Sequence, residues 1–82
     1  MTIEEMVPNE LLEKAFENTN FGSMTKRDLI RYGLLKVASG YYNGHTLKSI
    51  LIELGLTKPI YFGLTRKGQQ YLYEAFSNGT SV

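Results

Sequence analysis

The chain has 82 residues, no cysteine and a formal net charge of +1. One domain of this size buries only about 60 to 65% of the surface its unfolded chain exposes, so its core is thin and pairing of two copies would help it. The lack of cysteine excludes a disulfide framework and a thiolate zinc site, which agrees with a reducing compartment and makes the cytoplasm the expected location.

Residues 1 to 22 hold five glutamates and no basic stretch ahead of an apolar run, so a signal peptide is not expected there. No apolar run approaches the ~20 residues of a membrane span, and no membrane partner is expected. Asn78-Gly79-Thr80 matches a glycosylation acceptor, but without an export signal the match reads as chance.

The near-neutral total conceals a division. Glu4, Glu5, Glu10, Glu13 and Glu17 stand against Lys14 in residues 1 to 22. Lys26, Arg27, Arg31, Lys36, Lys48, Lys58, Arg66 and Lys67 stand against Asp28, Glu53 and Glu74 in the remainder. An acidic segment joined to a basic one points either to a polyanion partner, whose phosphates Lys and Arg would neutralise, or to two halves that pack on each other.

Hydrophobic spacing predicts four helices and one short extended piece. Asn9 is a plausible cap for a first helix with Leu11, Leu12, Ala15 and Phe16 on its apolar side, ending near Asn18. The polar run Asn18-Thr19-Asn20 with Gly22-Ser23 makes a loop that turns Phe21 inward. Thr25 caps a second helix in a T-x-x-D pattern with Asp28, puts Ile30, Leu34, Val37 and Ala38 on one face, and stops at Gly40.

Asn43-Gly44 is a strong turn signal because both residues tolerate positive φ, and His45 or Thr46 can cap the helix that follows. Leu47, Ile50, Leu51 and Leu54 form that helix's apolar stripe, with Lys48, Ser49 and Ile52 opposite. Gly55 closes it in a left-handed conformation and Leu56 turns back to the core. Thr57-Lys58-Pro59 turns into the brief β-prone Ile60-Tyr61-Phe62. Thr65 then caps a last helix from Arg66 to Phe76, with Leu72, Ala75 and Phe76 inward and Gly68 allowing a close approach. Residues 1–76 are therefore expected to form one domain, with a flexible tail over 77–82.

Leu51 to Leu56 and Tyr61 to Gly68 resemble the L-x-x-L-G-L and Y-x-L-T-x-K-G phrases of winged-helix regulators, in which a recognition helix, a two-stranded wing and a last helix follow in order. Only Thr57, Lys58, Pro59 and Ile60 separate the two phrases, so at most a minimal β-hairpin replaces the wing. The chain is also similar to small proteins of tailed phages and prophages, in which a G-Y-x-N-G-x-T turn precedes an E-L-G-L helix end. That second likeness implies no particular activity.

The winged-helix resemblance implies a mainly α helix-turn-helix domain of about four helices that binds double-stranded DNA, as a transcription regulator of a phage or prophage would. His45, Thr46, Lys48, Ser49 and Ile52 would then face the major groove, and Lys26, Arg27, Arg31, Lys58, Arg66 and Lys67 would position phosphates. It also implies pairing through the terminal helices. A homodimer through Tyr71, Tyr73 and Phe76 is expected, since one helix cannot hide all three rings on the stripe of Leu72 and Ala75.

No catalytic constellation is present. His45 is the only histidine, no carboxylate pair brackets a nucleophile, and no phosphate-cradling glycine motif occurs, so neither metal nor cofactor nor enzymatic activity is expected. The alternative is a protein-interaction module on the same scaffold, such as a phage-encoded modulator of a host protein. Cations in one stripe around the third helix favour DNA; an apolar patch around Ile52 and the tyrosines favours a protein partner.

Overall fold

The computed structural model describes residues 1–17, 19 and 21–79. It is mainly α: α1 (Ile3–Met6), α2 (Asn9–Phe16), α3 (Lys26–Ala38), α4 (His45–Glu53) and α5 (Arg66–Gly79), with no strand among the described residues. Among the described residues, a single isolated antiparallel bridge, Thr57 to Leu64, is found where at most a minimal hairpin is expected.

Local sequence accounts for most of the boundaries. The unexpected one-turn α1 is held by a full capping box: Thr2 Oγ1 accepts from the Glu5 amide at 3.1 Å and Glu5 Oε1 accepts from the Thr2 amide at 2.8 Å. The bond from the Thr2 amide, helped by the neighbouring Thr2 hydroxyl, holds the Glu5 carboxyl below its ordinary pKa. At α3, Thr25 Oγ1 accepts from the Asp28 amide at 3.1 Å, while Asp28 pairs with Arg31.

Gly40 and Gly55, both at positive φ, close α3 and α4 in the same way. Each donates its own amide to the carbonyl three residues back, and the next residue reaches five back, Tyr41 to Lys36 at 2.7 Å and Leu56 to Leu51 at 2.9 Å. Thr65 caps α5 as expected, accepting from the Gly68 amide at 3.0 Å.

Several expectations are corrected. Pro8 occupies the cap position of α2, and Asn9, expected there, is the first helical residue with its side chain held by Arg27. The helix ends at Phe16; Asn18 and Asn20 lie outside the described residues. Gly44 has φ −61 and itself caps α4, so His45 and Thr46 lie in the first turn instead of capping. The reversal has already been made at Gly40, so residues 41–44 connect the helices without a further turn, and Asn43 Nδ2 donates to the Gly33 carbonyl at 3.1 Å.

Ile60-Tyr61-Phe62 forms no strand, because nothing pairs with it beyond the Thr57–Leu64 bridge. Leu11 and Ala38 are exposed, whereas Leu29 and Gly33 are buried on α3. The last helix runs on to Gly79, into the segment expected to be tail; Thr80, Ser81 and Val82 lie outside the described residues.

The core gathers Met6 and Val7 beside α1, Leu12 and Phe16 from α2, Leu29, Ile30 and Leu34 from α3, and Leu47, Ile50, Leu51 and Leu54 from α4, with Leu56 and Tyr71. Phe21 meets Phe16 edge to face at 5.9 Å, the inward turn expected of it. Two glycines bring backbones together. Gly33 lets Leu47 and Leu51 of α4 press on α3, where an added Cβ would lie 3.2 and 3.0 Å from their methyl groups. At Gly68 a Cβ would overlap the Leu56 carbonyl, so α5 sits directly on the chain leaving α4.

Tyr71, expected at a dimer surface, is wholly buried because α5 turns it, rather than Phe76, into the core. Its hydroxyl accepts from Arg27 Nη1 at 3.2 Å. Burial pushes the phenol pKa up and the Arg27 bond partly offsets this.

Candidate interaction surface at α4 and the 57–64 loop

The expected site residues fall into two groups. Lys26, Arg27 and Arg31 occupy the first half of α3 and engage the acidic and terminal segments. Lys26 Nζ pairs with Glu13 at 2.6 Å. Arg27 Nη2 donates to the Val7 carbonyl at 2.8 Å and to Asn9 Oδ1 at 2.9 Å, in addition to the Tyr71 bond. Arg31 lies 3.5 Å from Asp28 and 5.5 Å from the centre of the Phe76 ring. The division of charge in the sequence is thus partly used within the molecule, where α3 binds the acidic α2.

The other group lies at the opposite end of α3. From Lys26 to Val37 is roughly 16 Å along a helix that rises ~1.5 Å per residue. On α4, His45, Thr46, Lys48 and Ser49 are exposed and Ile52 is half-buried, so its apolar stripe is directed inward as expected. Lys58 and Arg66 are exposed and Lys67 is half-buried. Neither Lys48 nor Lys58 makes an ion pair among the described residues.

The 57–64 loop is a hairpin reduced to its base. Lys58 donates its amide to the Gly63 carbonyl at 3.0 Å. Beneath it, the Thr65 amide donates to the Leu56 carbonyl at 3.1 Å and Thr65 Oγ1 to the Gly55 carbonyl at 2.6 Å. With its base fixed and no strand to pair, the loop carries Ile60 and Tyr61 outward, 85% and 75% exposed. Phe62, also exposed, meets the Tyr42 ring at 4.6 Å, and Tyr42 is itself 73% exposed with Tyr41 beside it.

Between this loop and α4 lies a cavity of about 220 Å³, with Val37 and Leu51 among its walls, Tyr42 and Phe62 across it, and Lys48 and Lys58 at its border. It is more enclosed than the grooves beside α2 and α5. Sequence reasoning named Lys48, Lys58 and the tyrosines separately but missed the pairing of Tyr42 with Phe62, which are 20 positions apart and joined only by the fold. The available signal was the Pro59-Ile60-Tyr61-Phe62 run, too short for a strand yet too apolar for an ordinary turn.

On α5, Tyr73 is exposed, and Phe76, expected inward, is 40% exposed and carries Arg31 over its ring. Of the three aromatics expected at a dimer surface, only these two are exposed. Among the described residues no three His, Cys, Asp or Glu side chains converge as a metal site would require, and no helix is long and apolar enough to cross a membrane. No family model, no curated protein and no solved structure matches this chain.

Proposed function

We propose that the domain is a non-enzymatic protein-binding module, such as a modulator of a host protein, whose contact face is α4 with the 57–64 loop. The observation that carries this reading is the group of Tyr42, Ile60, Tyr61 and Phe62, all exposed and gathered around one cavity, with exposed Tyr41 next to Tyr42 in the chain. Exposed apolar groups of this kind are normal when scattered and mark interaction sites when contiguous. Tyrosine and phenylalanine are enriched at protein interfaces, and tyrosine is among the residue types that carry most of the binding energy there.

Duplex DNA is the second reading. It is favoured by the exposure of His45, Thr46, Lys48 and Ser49 on α4, with Lys58, Arg66 and Lys67 on the chain that follows. It is weakened by the partners of Lys26, Arg27 and Arg31, because a cation already paired within the protein releases fewer counterions on binding phosphate. Pairing of two copies through Tyr73 and Phe76 is compatible with either reading; sedimentation of Tyr73→Glu against the wild type tests it.

A photo-reactive phenylalanine analogue at position 61, with position 73 as the comparison, separates the two main readings in cells. Covalent adducts to a protein from position 61 alone are expected. Adducts to DNA, or equal protein adducts from both positions, overturn the proposal.

A further inference from the structure

The cavity between α4 and the 57–64 loop says what kind of protein segment would sit there. At about 220 Å³ it is smaller than the roughly 300 to 1,000 Å³ of small-molecule sites, a size that suits one side chain rather than a cofactor. Val37 and Leu51 offer it aliphatic walls and Tyr42 and Phe62 aromatic ones. The polar side-chain atoms of two further lining residues, Asn43 Oδ1 and Thr57 Oγ1, have no hydrogen-bond partner and are closed off from solvent.

A nucleobase is recognised by hydrogen bonds along its edge, and these two atoms are out of its reach. An apolar side chain needs none. At the border stand Lys48 and Lys58, unpaired among the described residues, and no aspartate or glutamate lines the cavity. The electrostatic complement of such a border is negative.

We infer that this cavity takes a single apolar or aromatic side chain projecting from an acidic segment of a partner protein, with flanking carboxylates meeting Lys48 and Lys58. The inference rests on the protein-binding reading and adds the chemistry of the partner to it. The anchor fills the space between the Tyr42–Phe62 pair and Leu51, and the cations set its surroundings, so an apolar peptide without acid and an acidic peptide without an anchor each meet only half the site.

The test uses the full chain and a fluorescein-labelled synthetic peptide of glutamate and serine with one central phenylalanine, followed by anisotropy at low and moderate salt. Saturable binding is expected, weakened about tenfold or more when the central phenylalanine is alanine, and by a similar factor in Lys48→Glu/Lys58→Glu. Both lysines are exposed, and an unchanged circular dichroism spectrum confirms that the variant folds. Binding by the alanine peptide as tight as by the original overturns the inference, as does no saturation by ~1 mM, the weakest affinity a useful contact would have. Single-stranded oligothymidine that displaces the peptide and binds more tightly also overturns it, making the cavity a stacking site for nucleic acid. Protein adducts from position 61 alongside a failed peptide titration would refute the acidic anchor and leave the protein-binding reading intact, whereas DNA adducts would refute that reading itself.

Discussion

The two ends of α3 carry the same residue types in opposite circumstances. At its start Arg27 makes three bonds to two distant parts of the chain, to the Val7 carbonyl and Asn9 and to Tyr71, and Lys26 meets Glu13. Past its end, Lys48 and Lys58 have no ionic partner among the described residues, and the rings of Tyr42 and Tyr61 stand in solvent. One end spends its polar groups on holding the fold, the other keeps them at the surface. A cation's availability for a partner therefore depends on whether the fold has already desolvated and bonded it, which its place in a charge count does not reveal.

The sharpest way to break this contrast is to separate the two ends from each other. α5 links them: Tyr71 serves the closed end, and Gly68 rests on the Leu56 carbonyl beside the base of the loop. Gly68→Ala puts a methyl group into that carbonyl, and because the carbonyl is backbone and a Cβ has no torsion with which to turn aside, relief requires moving the helix. The expected cost is about 3 kcal/mol or more, a large part of the stability of so small a domain. Urea unfolding followed by circular dichroism measures it; an unchanged midpoint would mean that the two backbones are not in contact.

Arg27→Met comes next. It preserves much of the stem but leaves the Val7 carbonyl, Asn9 and the Tyr71 hydroxyl without their donor, for an expected loss of about 2 to 3 kcal/mol. Lys48→Ala at the open end is expected to stay within ~0.5 kcal/mol of the wild type. Similar losses in the two variants would erase the distinction between the ends.

Sequence reasoning went furthest where one residue dictates its own surroundings. Thr25, Gly40, Gly55 and Thr65 cap or close helices because their bonds are made within a few positions, and the stripe of Leu47, Ile50, Leu51 and Leu54 follows from helical period alone. It stopped short where partners are distant. Nothing local distinguishes Arg27 from Arg66, although one is fastened to residues 18, 20 and 44 positions away and the other is exposed. The same holds for Tyr71 against Tyr73, two positions apart on one helix, of which the first is interior. The candidate surface was legible as single residues, Lys48, Lys58 and the tyrosines, and not as a cavity, because its walls come from four separate segments. The capping box of Thr2 and Glu5 was local and could have been read, but a helix of one turn gives too little hydrophobic period to draw attention to it.

Tyr71→Phe tests the closed end with a smaller perturbation. Removing the hydroxyl takes one acceptor from Arg27, which retains two others, so a loss of about 1 kcal/mol is expected near neutral pH. The pH dependence sharpens the point. Because burial raises the folded-state pKa of this phenol above its ordinary value of 10.0, the associated stability is fully present below that pH. It is lost as the pH rises towards and through the folded pKa, where the unfolded chain releases the proton more readily. Unfolding midpoints taken across the alkaline range should therefore fall more steeply for the wild type than for Tyr71→Phe; parallel curves would mean that the hydroxyl is not buried against Arg27.

The smallest effect is expected at the open end and is informative for that reason. Tyr61→Ser removes a large ring that is 75% exposed and, among the described residues, belongs to no aromatic pair, unlike Tyr42 and Phe62. The loop base is held by backbone bonds from Lys58 and Thr65, which the substitution leaves in place. Stability should change by no more than ~0.5 kcal/mol, since surface changes away from caps, cavities and buried bonds rarely do more. A ring that stands in water while contributing so little to the fold would lower solubility, and a contact surface is the use that would offset this. Urea unfolding checks the first part of the expectation. A loss above ~1 kcal/mol would place Tyr61 among the residues that hold the domain together and remove the main reason for reading the loop as a contact surface.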